Sequence, residues 1–97
     1  METQKKENTK VLIIEDNIAD AELVKSMLKT PGSEFIISNA DRLSSATPLL
    51  DAEQFNSVLL DLNLPDSMGL DTLKKIREKA SHSAIIVLGG SMTKKQA

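Results

Sequence analysis

The stretch VLLDLNLP, residues 58–65, decides the fold of this chain. Three aliphatic residues lead directly into Asp61, and a polar turn with a proline follows at once. A continuous apolar run of this kind is typical of a strand buried on both faces of a parallel sheet. Asp61 is therefore predicted at the carboxyl end of a strand, where open α/β sheets bind ligands. Taken alone, such an acid could equally cap the next turn.

A second segment of the same design, VLIIED at residues 11–16, supports the ligand-binding interpretation. Its aliphatic run ends in Glu15 and Asp16, so three carboxylates are expected at one edge of the sheet if the two strands are parallel neighbours. Carboxylates that share a site repel one another, and a hard cation relieves the repulsion. Oxygen ligands without Cys or clustered His favour Mg²⁺, Mn²⁺ or Ca²⁺ over zinc. The pattern predicts half of a phosphoryl-binding site.

The composition excludes several classes of protein. The 97 residues fit one small domain, with an aliphatic core because two Phe are the only aromatic residues. The absence of Cys excludes disulfides, iron–sulfur clusters and thiolate zinc sites. A net charge of −2, from 12 basic and 14 acidic residues, gives no basic stripe for nucleic acid. No apolar run is long enough for a membrane span or a signal peptide, so we expect a cytoplasmic protein.

Four strands and three helices are expected to alternate along the chain. Residues 1–9 are predicted to be a disordered lead-in, followed by one domain over residues 10–97. The strands are predicted at residues 10–15, 34–38, 55–60 and 84–88. The first helix is predicted over residues 18–28 with Asn17 as its N-cap, and the third over residues 69–80. This order predicts a doubly wound α/β fold with a parallel sheet.

The helices are expected to bury apolar positions at helical spacing. These are Ile18, Ala21, Leu23, Val24, Met27 and Leu28 in the first helix, Leu43, Ala46, Leu49 and Leu50 in the second, and Leu70, Leu73, Ile76 and Ala80 in the third. Asp41 is predicted to cap the second helix. Pro48 is expected to leave that helix short, kinked or restarted, because an interior proline removes a hydrogen bond and clashes with the preceding turn.

With these residues laid out, the chain resembles the receiver domain of two-component response regulators, from about residue 10 to residue 90. The resemblance rests on VLIIEDN with its acidic pair, on DLNLPDSMG with Pro65 and Gly69 four and eight residues after Asp61, and on the apolar strand IIVL. It implies a flavodoxin-like sheet in the order 2-1-3-4-5. The last helix, strand and helix of that fold are missing from this sequence.

The resemblance also implies a role for each acidic residue. Asp61 is the implied phosphoacceptor, which takes a phosphoryl group from a histidine kinase or a phosphotransfer protein in a phosphorelay. Glu15, Asp16, Asp61 and the backbone carbonyl of Asn63 are the implied ligands of Mg²⁺ (or Mn²⁺), with Asp16 direct and Glu15 through water. Such a domain is a signalling phosphoacceptor and not an enzyme beyond its own phosphorylation and dephosphorylation.

Two departures from the receiver pattern support an alternative function. Gly89 stands where receivers carry a Ser or Thr, with Ser91 two residues later, and Lys94 and Lys95 come too early to be the lysine that ends a fifth strand. Without a fifth strand, residues 85–88 would form an exposed hydrophobic edge. The chain would then be a fragment of a longer protein, or a second copy or partner would cover the edge. The alternative is a phosphorylation-impaired module for protein interaction or dimerisation.

A third class, a metal-dependent phosphohydrolase, also uses a strand-end Asp as nucleophile. Asn63 occupies the place of the second Asp that would act as its acid, which disfavours this class. His82 lies among serines in a connection and is predicted to be a surface residue.

Overall fold

A four-stranded parallel sheet lies at the centre of the part of the chain that the structure describes, residues 9–29, 31–32 and 34–88. In this computed structural model the elements are β1 (Thr9–Ile14), α1 (Ile18–Leu28), β2 (Phe35–Ala40), α2 (Leu43–Ala52), β3 (Ser57–Leu60), β4 (Asn63–Leu64), β5 (Ser67–Met68), α3 (Leu70–Lys79) and β6 (Ala84–Val87). The sheet has the order β2-β1-β3-β6, and β6 is the predicted fourth strand. The predicted doubly wound α/β fold is confirmed, with every strand end within two residues of its predicted position.

The register of the strands brings their carboxyl ends to one edge. Ile14, the last residue of β1, pairs with Ala40 of β2 and with Leu60 of β3. Backbone hydrogen bonds continue past the strands, from Glu15 N to Ala40 O at 2.9 Å and from Asp61 N to Ile14 O at 3.0 Å. The residues that follow β1 and β3 are therefore held side by side.

The hydrophobic core has one part on each face of the sheet. Leu12 and Ile13 are adjacent in β1, fully buried, and belong to different parts, because successive side chains of a strand point to opposite faces. Helices α2 and α3 cover the face of Leu12, and α1 covers the face of Ile13. Burial on both faces explains why residues 11–14 of β1 and 58–60 of β3 are continuously apolar. The inward positions predicted for α2 all pack in this core.

The starts of the first two helices have different caps. Asn17 caps α1 as predicted, because its side chain accepts a hydrogen bond from Asp20 N at 2.9 Å. The prediction that Asp41 caps α2 is wrong, since Arg42 holds that position. The Ser45 hydroxyl accepts from Arg42 N at 3.2 Å and donates to Asp41 Oδ1 at 2.9 Å. The carboxylate of Asp41 is thus turned toward Ser45 and not toward the free amides of the helix.

Pro48 does not interrupt α2, which runs as one segment of 10 residues. A proline at this position deprives the carbonyl of Ser44, four residues earlier, of its helical donor. Both residues are exposed, so water can reach that carbonyl. Of the outcomes expected at Pro48, which were a short, kinked or restarted helix, the restart is absent because α2 is continuous through the proline. The helices in the described ranges have 11, 10 and 10 residues, and none of them could span a membrane.

Some residues predicted to face inward are exposed. Ile18 is 79% and Leu70 is 69% exposed, because each is the first residue of its helix and lies beside the carboxyl edge of the sheet, where less of the core is available to cover it. Leu23 and Met27, at 59% and 67%, lie outside the stripe that α1 buries. Conversely, Thr72 in α3 is fully buried, although this polar residue is not among the predicted inward positions.

Candidate functional site

Three carboxylates meet at the carboxyl edge of the sheet. Glu15 and Asp16 follow β1, Asp61 follows β3, and one oxygen from each lies within 4.8 Å of the others. The convergence predicted from the two strand ends is therefore present. It follows from the parallel pairing of β1 with β3, in which Ile14 pairs with Leu60, so that the next residues of the two strands, 15 and 61, lie beside each other.

Burial makes this cluster a candidate site for a cation. Glu15 is 3% and Asp61 is 1% exposed, whereas Asp16 is exposed to solvent. Two full charges about 5 Å apart repel by roughly 3 kcal/mol at an effective dielectric constant near 20. The donors are all carboxylate oxygens, which suit hard cations such as Mg²⁺, Mn²⁺ or Ca²⁺. The donor set therefore fits the predicted metal.

Backbone amides orient the two buried carboxylates. Asn17 N donates to Glu15 Oε2 at 3.0 Å, and Asn63 N donates to Asp61 Oδ1 at 3.0 Å. In each case the donor lies two residues after the acid, where the chain turns away from the strand. These bonds limit the rotation of each carboxylate.

The segment after Asp61 is more ordered than the predicted turn. Strands β4 and β5 form an antiparallel hairpin, with Asn63 opposite Met68 and Leu64 opposite Ser67. The hairpin is closed where Gly69 N donates to Leu62 O at 2.9 Å. We call residues 61–69 the acceptor loop. A two-strand hairpin in place of a simple turn fixes the path of the chain beside Asp61.

Gly69 joins the acceptor loop to α3. Its φ is 67° and ψ is −146°, and it is the N-cap of that helix. A side chain is strained at this φ, which explains the glycine eight residues after Asp61. A second link is buried, since the hydroxyls of Ser67 and Thr72 lie 2.7 Å apart. The loop is thus attached to the start of α3 at two points.

Asp66 connects the acceptor loop to α2, which sequence reasoning missed. Its carboxylate accepts from Leu43 N at 2.8 Å and from Ser44 N at 2.9 Å. Desolvation raises the pKa of Asp66, but hydrogen bonds, led by those from the Leu43 and Ser44 amides, hold that pKa below its usual value of 3.8. The two ends of the contact are more than 20 residues apart in sequence, so no local pattern indicates it.

An open cavity of about 320 Å³ lies beside the carboxylates. Its lining includes Asp16, Ile18 and Lys25, together with Asn39 near the end of β2 and Asp41 just after that strand. Because Glu15 and Asp16 both border this space, the acidic cluster is open to solvent on this side.

The remaining candidates lie elsewhere. His82 is exposed and borders a small cavity with Phe55, near the amino ends of β3 and β6, so it belongs to the end of the sheet opposite the acids. Gly89, Ser91, Lys94 and Lys95 lie outside the described residues, as do residues 1–8 of the predicted lead-in. Asn63 is the first residue of β4, two residues after Asp61 in the acceptor loop.

Comparisons with known proteins find a matching family model and similar sequences. The family model described as the response regulator receiver domain matches residues 11–97. The chain is 37% identical over 82 residues to the cell cycle transcriptional regulator CtrA of Caulobacter vibrioides. That alignment covers 84% of this chain and 35% of CtrA. It is 31% identical over 98 residues to the chemotaxis protein CheY-3 of Vibrio cholerae, covering 99% of this chain and 75% of that protein.

A solved structure agrees with the sequence relatives. The MaeR response regulator bound to beryllium trifluoride superimposes with a TM-score of 0.74 at 28% identity, covering 82% of this chain and 66% of that one. The chain spans about a third of the length of the CtrA relative, at 35%.

Proposed function

Because this chain belongs to the response regulator receiver domain family, we propose that it accepts a phosphoryl group on Asp61 in a two-component phosphorelay. The observation that carries the proposal is the convergence of Glu15, Asp16 and Asp61 within 4.8 Å at the ends of two parallel strands. The donor is a histidine kinase or a phosphotransfer protein, and the process is cytoplasmic. Neither nucleic acid nor membrane is a partner of this part of the chain.

Asp61 is the nucleophile in this proposal. One of its carboxylate oxygens bonds to phosphorus while the bond from phosphorus to the phosphohistidine nitrogen breaks. The electron pair of the broken bond stays with the imidazole, which takes up a proton. The hydrogen bond from Asn63 N to Asp61 Oδ1 at 3.0 Å holds the carboxylate in a defined rotation for this attack. The product is an aspartyl phosphate, and the chain does no further chemistry than its own phosphorylation and dephosphorylation.

The acidic cluster supplies the ligands for Mg²⁺ (or Mn²⁺) in this proposal. Asp16 and Asp61 would be direct ligands of the cation, Glu15 would act through water, and the backbone carbonyl of Asn63 would contribute a further oxygen. When bound, the cation offsets the negative charge that accumulates on the phosphoryl oxygens. The exposed position of Asp16 beside the open cavity is suited to a cation that retains several waters.

The test is the intact mass of the chain after incubation with acetyl phosphate. We expect one added phosphoryl group when Mg²⁺ is present and none when the metal is chelated. Circular dichroism of the same sample establishes that the chain is folded. A folded chain that gains no phosphoryl group with Mg²⁺ would contradict the proposal and favour the interaction module.

A second candidate function, dimerisation, is favoured by the exposed edge of the sheet. In the described part of the chain β6 is an edge strand, and Ile86 and Val87 are 51% and 45% exposed. An exposed apolar edge strand offers backbone donors and acceptors to another chain. A homodimer or a swapped partner at this edge would extend the sheet and bury both side chains.

This candidate predicts a selective effect of charge at β6. We expect Ile86→Lys to convert a dimer into a monomer in analytical ultracentrifugation. The lysine charge would be buried between the two edge strands, which is unfavourable. Ile36→Lys is the matched control, since Ile36 is 48% exposed in β2, the opposite edge strand, and should leave the dimer intact. An unsubstituted chain that sediments as a monomer would rule out this candidate.

A further inference from the structure

We infer that Asp66 is a positioning residue that couples the acidic cluster to the start of α2. Its carboxylate reaches across the structure to the amides of Leu43 and Ser44, at 2.8 and 2.9 Å. These are among the first amides of α2, which lack acceptors within the helix. A cap supplied by a distant loop makes the helix start and the loop dependent on each other. The inference rests on the proposed function, because its readout is binding of Mg²⁺ to the cluster.

The link from Asp66 to the cluster runs through the hairpin. Asp66 lies between β4 and β5, and the pairing of Asn63 with Met68 fixes the base of that hairpin. Asn63 N in turn donates to Asp61 Oδ1 at 3.0 Å. A displacement of the hairpin tip, where Asp66 lies, therefore changes the orientation of the Asp61 carboxylate through a short, hydrogen-bonded segment.

The acceptor loop has another attachment, so loss of the Asp66 cap should leave the chain folded. The Ser67 and Thr72 hydroxyls join the loop to α3, and both residues are buried. Asp66 itself is exposed. Removing its carboxylate thus opens no cavity in the core and leaves the α3 attachment in place. What is lost is the α2 attachment, and with it the restraint on the acceptor-loop tip.

Coupling of this kind is reciprocal. If the Asp66 cap strengthens cation binding at Asp61 by a given factor, cation binding must strengthen the cap by the same factor. The amides of Leu43 and Ser44 report the cap directly, since their hydrogens exchange with solvent only when it opens. Mg²⁺ should therefore slow exchange at two amides that are not part of its site.

The experiment measures both sides of this coupling in the full chain. We expect Asp66→Ala to raise the dissociation constant for Mg²⁺ about three- to ten-fold. Binding is followed by the NMR chemical shift of the Asn63 amide. Asp66→Asn should recover part of the loss, because its amide oxygen can still accept one of the two hydrogen bonds. In the unsubstituted chain, Mg²⁺ should slow exchange of the Leu43 and Ser44 amides by a similar factor, and in Asp66→Ala this response should vanish.

Ser45→Ala is the matched control for a merely structural effect. It removes the hydroxyl that accepts from Arg42 N at the same helix start but leaves the acceptor loop and Asp66 unchanged. We expect it to lower the stability of the chain and to leave the Mg²⁺ dissociation constant within about two-fold, as is typical of a lost helix cap without a link to the site.

The outcomes separate this inference from the proposed function. An Mg²⁺ affinity that is unchanged in Asp66→Ala, or one that Ser45→Ala weakens equally, would overturn the inference and leave the phosphoacceptor proposal standing. An unsubstituted chain that binds no Mg²⁺ would contradict the proposed metal site, and the inference would fall with it.

Discussion

Replacing Asp61 with Asn should abolish phosphorylation of this chain completely. The neutral amide oxygen lacks the negative charge of the attacking carboxylate, so no aspartyl phosphate can form. The substitution keeps the shape of the side chain, and its oxygen can still accept the hydrogen bond that Asn63 N donates to Asp61 Oδ1. The measurement is intact mass after incubation with acetyl phosphate and Mg²⁺, where Asp61→Asn should retain its unmodified mass.

Asp51→Asn provides the matched control for this result. Asp51 is an exposed acid in α2 that bonds Lys79 Nζ at 2.8 Å, on the surface and outside the acidic cluster. The same change of an acid to an amide at this site should leave phosphorylation at its unsubstituted level. Addition of a phosphoryl group to Asp61→Asn would show that another residue accepts it, and would contradict the role assigned to Asp61.

Replacing Leu12 with Ala should destabilise the chain by about 2–5 kcal/mol. Leu12 is fully buried in the central strand β1, between β2 and β3, so the cavity has little freedom to collapse. Small domains commonly have only about 5–15 kcal/mol of total stability, and the loss is a large share of it. The measurement is the urea midpoint of unfolding, followed by circular dichroism, with the free energy extrapolated to water.

Leu23→Ala tests the same chemical change on the surface. Leu23 is 59% exposed on α1, and its truncation should change the free energy of unfolding by no more than about 0.5 kcal/mol. Equal losses in the two variants would contradict the assignment of β1 as the buried centre of the sheet. The comparison uses urea unfolding curves of both variants, analysed with the same slope of the free energy of unfolding against urea concentration.

The two candidate functions make different demands on the same fold. Phosphoryl acceptance depends on the carboxyl edge, where Asp61 is 1% exposed and held by a backbone amide. Dimerisation depends on the outer edge at Ile86, which is 51% exposed. Because the two regions are separate surfaces, Asp61→Asn and Ile86→Lys should each affect one property and spare the other.

The sequence by itself determined the sheet and the acidic cluster. Continuous apolar runs at residues 11–14 and 58–60 predict strands buried on both faces, and such strands are parallel and joined by helices. Parallel strands end at a common edge, so Glu15, Asp16 and Asp61 had to converge once the two strands were neighbours. Local patterns sufficed here because each strand and its terminal acid are contiguous in sequence.

Only the tertiary structure decided which groups complete the helix starts and the acceptor loop. The carboxylate that accepts from the first amides of α2 belongs to Asp66, more than 20 residues away, and not to the adjacent Asp41. Helical spacing predicted Ile18 and Leu70 as buried, but both lie at helix starts beside the sheet edge and are exposed. A side chain's partners depend on which segments the fold brings next to it, and periodicity describes only the helix to which the side chain belongs.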